Sequence, residues 1–210
     1  DLILVDGLSV GFDHRIAGGE RVAVYPVFEG MDIRGAARLG RPPLRQLRFI
    51  ADVHLGALAR RLRLLGFDCV YEAPWDDGTL ARRSADEKRI LLTRDRRLLM
   101  RAVVTHGVCL HSDQPDGQLL EVVQRLDLRQ AVRAFARCCT CNGCLERVDR
   151  EAVRDLIPPK TWHFTDEYYQ CQSCRKLYWK GTHWPRLQAI LDGVANAAGP
   201  ETGSRSGEAP

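Results

Sequence analysis

Two pairs of cysteines limit what this chain can fold into more than any other feature. Cys138 and Cys141 form one CxxC, Cys171 and Cys174 form another, and 29 residues lie between the pairs. Two cysteines at this spacing let one tight turn aim both sulfurs at a single ion, with the turn's backbone amides supporting their charge. Two such turns complete a tetrahedral zinc site. Disulfides or a redox dithiol fit less well. A redox CxxC opens a helix behind a strand, whereas here the motif recurs at matched ends of one module. A four-thiolate site is closed, so its role is folding rather than catalysis. The first cluster leaves a choice, because Cys141 and Cys144 form a further CxxC and Cys139 lies beside Cys138. Cys138 with Cys141 is preferred, since Asn142-Gly143 then makes the turn just past the second ligand. Cys144 is the commonest substitute, and Cys139 also stays open. Cys69 and Cys109 sit alone in apolar segments and read as small buried hydrophobes.

Metal-ligating cysteines without a secretion signal point to a reducing compartment, and the expected location is the cytoplasm. Asp6 and Asp13 interrupt any early apolar run, and no stretch is long and apolar enough to cross a bilayer, so no membrane partner is expected. The chain begins at Asp1 rather than Met, which suggests that a segment precedes it. The net charge of +4 is small, but its location is informative. Residues 47–137 hold 16 Lys/Arg against 12 Asp/Glu, while the flanking parts each balance to zero. A modest basic excess suits phosphate contacts, as it also suits solvated helix faces.

The chain divides into five stretches. Residues 1–30 read as short strands: Leu2-Ile3-Leu4-Val5, the turn pair Asp6-Gly7, Ser9 to Phe12, and an alternating run from Arg21 to Phe28. Residues 31–46, rich in Gly, Pro and Arg, read as a linker. Residues 47–137 alternate strands and helices. Strands are expected at 47–51, 67–71, 89–93 and 108–111. Helices are expected from 55 to 65 (apolar stripe Leu55, Leu58, Ala59, Leu62, Leu65, closed by Gly66), from 79 to 88, from 95 to 104, and from Leu119 to Leu126. That alternation implies crossover units and a parallel sheet, an α/β fold. Residues 138–195 carry the cysteine module, with a helix-like stretch from Glu151 to Ile157 and a last helix from Pro185 to Val194. Residues 196–210 read as a disordered tail.

In a parallel sheet, ligands gather beyond the carboxyl ends of the strands. Asp52 directly follows the first strand, Asp95 follows the strand ending at Thr93, and Asp113 follows the one ending at His111. Asp76 and Asp77 lie in the turn after the second strand. Carboxylates from separate segments repel one another unless divalent cations lie between them, and hard oxygen ligands suit magnesium or manganese. Ions held there can activate a water for phosphodiester hydrolysis. Taken singly, Asp77 and Asp95 also fit helix caps and Asp113 a turn with Pro115. Asp52 is hardest to dismiss, having no local partner in sequence. Asp68 stands at the opposite end of its strand and is set aside.

Phe49-Ile50-Ala51-Asp52, Leu58-Ala59-Arg60-Arg61-Leu62-Arg63, Leu65-Gly66-Phe67-Asp68, Ile90-Leu91-Leu92-Thr93-Arg94-Asp95, Arg137-Cys138, Cys141-Asn142-Gly143 and Tyr178-Trp179-Lys180-Gly181-Thr182-His183 follow one another in order. Together they resemble the Mut-seven C-terminal RNase family over about residues 47–190. The resemblance implies a PIN-like sheet flanked by helices, followed by a zinc ribbon, and predicted cleavage of RNA. It carries Asp52 and Asp95 onto the family's acidic positions, Asp76 or Asp77 and Asp113 more loosely, and gives Thr93 a supporting role for the loop of Asp95. Cys139 and Cys144 depart from its simplest pattern. Residues 1–30, above all Val24 to Glu29, resemble the latter part of a ubiquitin-like β-grasp domain of sulfur-carrier type. The first strands and helix of such a domain are missing, and no terminal Gly-Gly is placed for activation. This part therefore reads as a docking or regulatory module, with a protein as its expected partner.

The resulting expectation is a metal-dependent ribonuclease, with structural zinc on Cys138, Cys141, Cys171 and Cys174. Magnesium or manganese would sit on Asp52, Asp77, Asp95 and Asp113. Arg60, Arg94 and Arg97 are candidate phosphate contacts, each also readable as a solvated helix residue. Trp179, Lys180 and His183 are candidate RNA contacts, or packing around the ribbon. The main rival is a non-catalytic RNA-binding adaptor. A haloacid-type phosphatase would need DxD where Asp52-Val53-His54 stands, and a receiver domain would need a lysine that is not suitably placed.

Overall fold

The computed structural model describes residues 2–11, 13–25, 46–73 and 75–181, with positions 185, 188, 189, 192 and 193 beyond them. The tail expected over 196–210, and the linker expected over 31–46 except Gln46, lie outside the described residues, as does the expected end of the last helix at Val194. Leu2–Val5 (β1), Leu8–Val10 (β2) and Val22–Tyr25 (β3) form an antiparallel sheet in the order β2-β1-β3. Asp6 and Gly7 both take positive φ, 49° and 83°, as the two-residue hairpin between β1 and β2 requires.

The central sheet is parallel throughout. Arg48–Ala51 (β4), Asp68–Val70 (β5), Ile90–Thr93 (β6) and Gly107–Cys109 (β7) lie in the order β5-β4-β6-β7. Every residue of β6 is buried, so the strand reads as a continuous apolar run rather than an alternating one. Gly56–Leu64 (α1), Asp77–Asp86 (α2), Arg96–Leu99 (α3) and Pro115–Arg125 (α4) cover both faces. Phe49 and Ala51 meet Leu58, Leu62 and Leu119 on one side, while Ile50 and Leu91 meet Leu80 and Leu98 on the other. Strand alternation thus sends one residue to each layer.

Two helices differ from the expected bounds by more than two residues. The third stops at Leu99 rather than 104. The β-branched Val103-Val104-Thr105 favour leaving the helix, and Val104 turns into the core instead. The fourth starts at Pro115, four residues before Leu119, because a proline's missing N–H costs nothing at the first helical position. Past α4 the chain enters the cysteine module. Leu145–Val148 (β8), Tyr168–Cys171 (β9) and Leu177–Trp179 (β10) form an antiparallel sheet in the order β10-β9-β8, with a short helix Pro159–Trp162 (α5) and a 3-10 turn over Glu151–Leu156. Its small core is Val153, Ile157 and the fully buried Tyr168. Among the described residues, no helix is long and apolar enough to cross a membrane.

Candidate metal centre and acidic site

Cys138, Cys141, Cys171 and Cys174 converge, their sulfurs all within 4.8 Å of one another. Cys138 Sγ lies 3.6 Å from Cys174 Sγ, and Cys141 Sγ lies 3.4 Å from Cys171 Sγ. A tetrahedral zinc with Zn–S bonds of about 2.3 Å needs sulfurs about 3.8 Å apart, so the four fit such an ion with little adjustment. The two turns are built alike. Cys138 N donates to Gly143 O and Cys171 N to Lys176 O, while Asn142 and Arg175, each just past the second ligand, take φ of 66° and 63°. Cys141 N and Cys174 N point at Cys138 Sγ and Cys171 Sγ at 3.5 and 3.4 Å. Burial pushes the Cys138 thiol up. The Tyr178 hydroxyl, 3.0 Å away, and the amides of Cys141 and Thr140 outweigh this and bring it down to about 6. Burial and hydrogen bonding of the Cys141 thiol to the sulfurs of Cys171, Cys174 and Cys138 push it up to about 12. The four-sulfur group contains neither Cys139 nor Cys144.

The first turn docks onto the edge of the parallel sheet, a contact that sequence reasoning missed. Asn142 uses both ends of its amide: Oδ1 accepts from Cys69 N at 3.0 Å and Nδ2 donates to Asp68 Oδ1 at 2.7 Å. Arg63 donates to Cys69 O (2.8 Å), Cys139 O (3.1 Å) and Thr140 O (3.1 Å). The outer hydrogen-bonding groups of β5 are thereby covered, as an edge strand requires. Gly66, at φ 94°, brings the backbone against Arg133; a Cβ there would lie 2.0 Å from Arg133 O. Asp68 joins the parts, pairing with Arg89 at 2.8 Å as well as with Asn142.

Burial pushes the Asp68 carboxyl up, but the hydrogen bonds of Arg89 and Asn142 and the charges of Arg89 and Arg137 hold it below its ordinary value. A depressed carboxyl contributes stability that is present above the unfolded pKa and lost as pH falls through the folded one. Asp68→Asn is therefore expected to lower the urea midpoint at pH 7, with the gap to wild type closing as pH falls below about 4. A gap independent of pH between 7 and 3 would remove Asp68 from the acid response.

The acidic site lies where the chain reverses direction across the sheet. From the adjacent strands β4 and β6 the chain leaves in opposite directions, to β5 and to β7, and in a sheet of this order the expected ligand crevice is at their carboxyl ends. Asp52 and Asp95 stand at its two sides. Asp52 is buried, with 8% exposure; its Oδ2 accepts from Thr93 Oγ1 at 2.7 Å and its Oδ1 from Val53 N at 2.6 Å. The local partner that Asp52 lacked in sequence is thus the next amide. Thr93, with no exposed surface, also accepts from Asp95 N at 2.9 Å, so one hydroxyl ties the two acidic segments together. Asp95 caps α3 through Arg97 N at 2.7 Å.

The other two carboxylates are turned to arginines. Asp113 pairs with Arg94, and Asp77 lies 3.8 Å from Arg101. Asp76, not Asp77, caps α2 by accepting from Thr79 N and Thr79 Oγ1, each at 2.9 Å. Among the described residues, no three carboxylates bring oxygens as close together as the four sulfurs come. Asp52 and Asp95 are tied together through Thr93, while Asp77 and Asp113 stay in their own ion pairs.

The Mut7-C RNAse domain model matches residues 47–191, and the Mut7-C ubiquitin model matches residues 1–32. The chain belongs to the Mut7-C RNAse family. No curated protein and no solved structure matches it. Membership gives a nuclease-type function, and the family match runs without a break across the parallel sheet and the cysteine module.

Within this Mut7-C chain, the residues proposed to touch RNA are placed unevenly. Arg60 and Arg97 are exposed, on α1 and α3, while Arg94 is paired with Asp113. Trp179 packs against Tyr168 in the ribbon core, with ring centroids 6.3 Å apart, and Lys180 pairs with Glu167 at 2.9 Å. Trp179 thus packs on the ribbon core, while Lys180 makes an exposed ion pair. His183 lies outside the described residues. The cysteine module docks along the outer edge of β5, whereas Asp52 and Asp95 follow the carboxyl ends of β4 and β6.

Proposed function

We propose that the chain is a metal-dependent ribonuclease of PIN-like type that hydrolyses RNA phosphodiester bonds at the Asp52–Asp95 crevice. The supporting observation is the buried Asp52 carboxylate, tied through Thr93 to the Asp95 segment at the reversal point of the sheet. Asp52 and Asp95 would hold magnesium or manganese, with Asp77 and Asp113 assisting once released from Arg101 and Arg94. The bound ion supplies an activated water and steadies the leaving oxygen. Thr93 fixes one Asp52 oxygen, leaving the remaining lone pairs to face the ion. Arg60, Arg94 and Arg97 would meet backbone phosphates. Zinc on Cys138, Cys141, Cys171 and Cys174 would be structural. In this reading residues 47–137 are the nuclease and 138–195 the ribbon. The β-grasp strands, whose Leu8, Val22 and Val24 are exposed, dock a protein partner, and the protein works in the cytoplasm.

The test is labelled single-stranded RNA incubated with manganese and with either wild type or an Asp52→Asn variant that keeps its four-cysteine metal. Cleavage is expected to fall about a hundredfold or more in the variant, the effect of losing several kcal/mol of charge stabilisation. RNA binding without cleavage by either protein would replace the ribonuclease reading with that of a binding adaptor.

A further inference from the structure

We propose that Tyr71 is a positioning residue for the acidic site, acting through the turn that carries Asp52; the inference rests on the ribonuclease reading and deepens it. Asp52 opens a single 3-10 turn, Val53–Leu55, that leads straight into α1. The carboxylate takes its direction from this turn, because Oδ1 is bound to Val53 N at 2.6 Å and Asp52 O accepts from Leu55 N at 2.8 Å. Tyr71 comes from the loop after β5 and donates its hydroxyl to Val53 O at 2.9 Å. The turn is thus held within itself by Leu55 N and from a separate segment by Tyr71.

A second observation gives that contact its weight. Gly56 begins α1 with φ −60° and ψ −31°, a backbone that any residue adopts. A glycine in a helix is less favourable than alanine, so conformation gives no reason for it. Space does. A Cβ at Gly56 would lie 2.8 Å from both Cζ and Oη of Tyr71 and 3.1 Å from Cε1. The missing side chain lets the phenol lie against the turn and reach Val53 O. Thr93 holds the other carboxylate oxygen, so Asp52 is located from two directions: by Thr93 across the sheet and by Tyr71 beneath its turn. An acid that binds a cation through fixed lone pairs loses affinity when either support goes, because the ion must then order the carboxylate itself.

Tyr71→Phe keeps the ring and removes only the donor; Gly56→Ala keeps the donor and displaces the ring. Both are compared with wild type by titration of manganese alone, by cleavage of labelled single-stranded RNA at low and high manganese, and by hydrogen exchange at the Leu55 amide. Each variant is expected to bind manganese about fivefold more weakly, the effect of one ordinary hydrogen bond. Cleavage is expected to fall at low manganese and to recover at high manganese, a rescue that general loss of fold does not produce. Leu55 exchange is expected to quicken by a similar factor while thermal unfolding stays close to wild type. Should wild type bind manganese and Tyr71→Phe match it in both affinity and Leu55 exchange, the inference is overturned. Should wild type bind no manganese, the ribonuclease reading falls. Tyr71 is then judged on exchange alone, with faster exchange supporting its hold on the Asp52 turn and unchanged exchange overturning it.

Discussion

Removing the metal from the four-cysteine centre, by a strong chelator or by Cys171→Ser, is expected to unfold the ribbon outright and to lower the melting temperature of the parallel-sheet domain. Among the described residues, the buried core of the ribbon is Val153, Ile157 and Tyr168, too little to hold three short strands together. A bound structural zinc contributes on the order of 10 kcal/mol, more than any other single interaction in such a module. The consequence does not stop at the ribbon. The turn from Cys138 to Asn142 carries the groups that cover β5: Asn142 on Cys69 N and Asp68, and the carbonyls of Cys139 and Thr140 that Arg63 reaches. When that turn loses its shape, β5 becomes an open edge and Arg63 a buried cation short of acceptors. Hydrogen exchange before and after chelation measures both effects. The Tyr168–Cys171 amides are expected to lose all protection and the Cys69 amide most of it, while β6 amides stay protected. Full protection of Cys69 in the metal-free protein would show that the two parts fold independently.

The parallel sheet was legible because its signals are local and repeated. The stripe Leu55, Leu58, Ala59, Leu62 and Leu65 has no other reading than a helix face, and the run Ile90 to Thr93 is too short and too apolar to be anything but a central strand. The cysteine set was legible for a related reason: a CxxC followed by Asn142-Gly143 already contains the turn and its left-handed residue. The crevice was half legible. That Asp52 and Asp95 end strands is visible in the chain, but which strands are neighbours depends on sheet order, which no local pattern contains. Their link through Thr93 depends on that order. The opposite fates of Asp77 and Asp113 do too, since Arg101 and Arg94 reach them only in the folded chain. The junction was least legible. Arg63, Asp68 and Asn142 are ordinary polar residues in ordinary local settings, and only docking turns them inward. Arg63, flanked by Leu62 and Leu64 and read as off the apolar stripe, is 5% exposed because the cysteine turn covers the face it occupies. Trp179, for which both RNA stacking and ribbon packing were readable in the sequence, is half-buried against Tyr168.

Arg63→Ala is expected to cost more stability than any other single surface-looking substitution in the chain. The guanidinium is nearly enclosed, and it faces three backbone carbonyls rather than a carboxylate. Two of these belong to the metal turn and one to β5, so its removal orphans acceptors on both sides of the junction at once. At about 1–3 kcal/mol for each buried group left without a partner, the expected loss is about 3 kcal/mol or more. For a chain of this size that corresponds to a fall of roughly 6–12 °C in melting temperature. Arg63→Lys is expected to recover only part of this, because a single ammonium cannot fork toward Cys69 O and the Cys139–Thr140 carbonyls together. Burial and the charge of Cys138 hold the neighbouring Cys139 thiol up, and Arg63 is among the groups that oppose this; the same cation opposes the net negative charge of four thiolates around a dication. Arg63→Ala should therefore weaken zinc retention against a competing chelator, as well as lower the melting temperature. If it lowers the melting temperature alone, the arginine supports β5 without supporting the metal turn. If it changes neither, the carbonyls are satisfied by water and the junction is looser than its hydrogen bonds indicate.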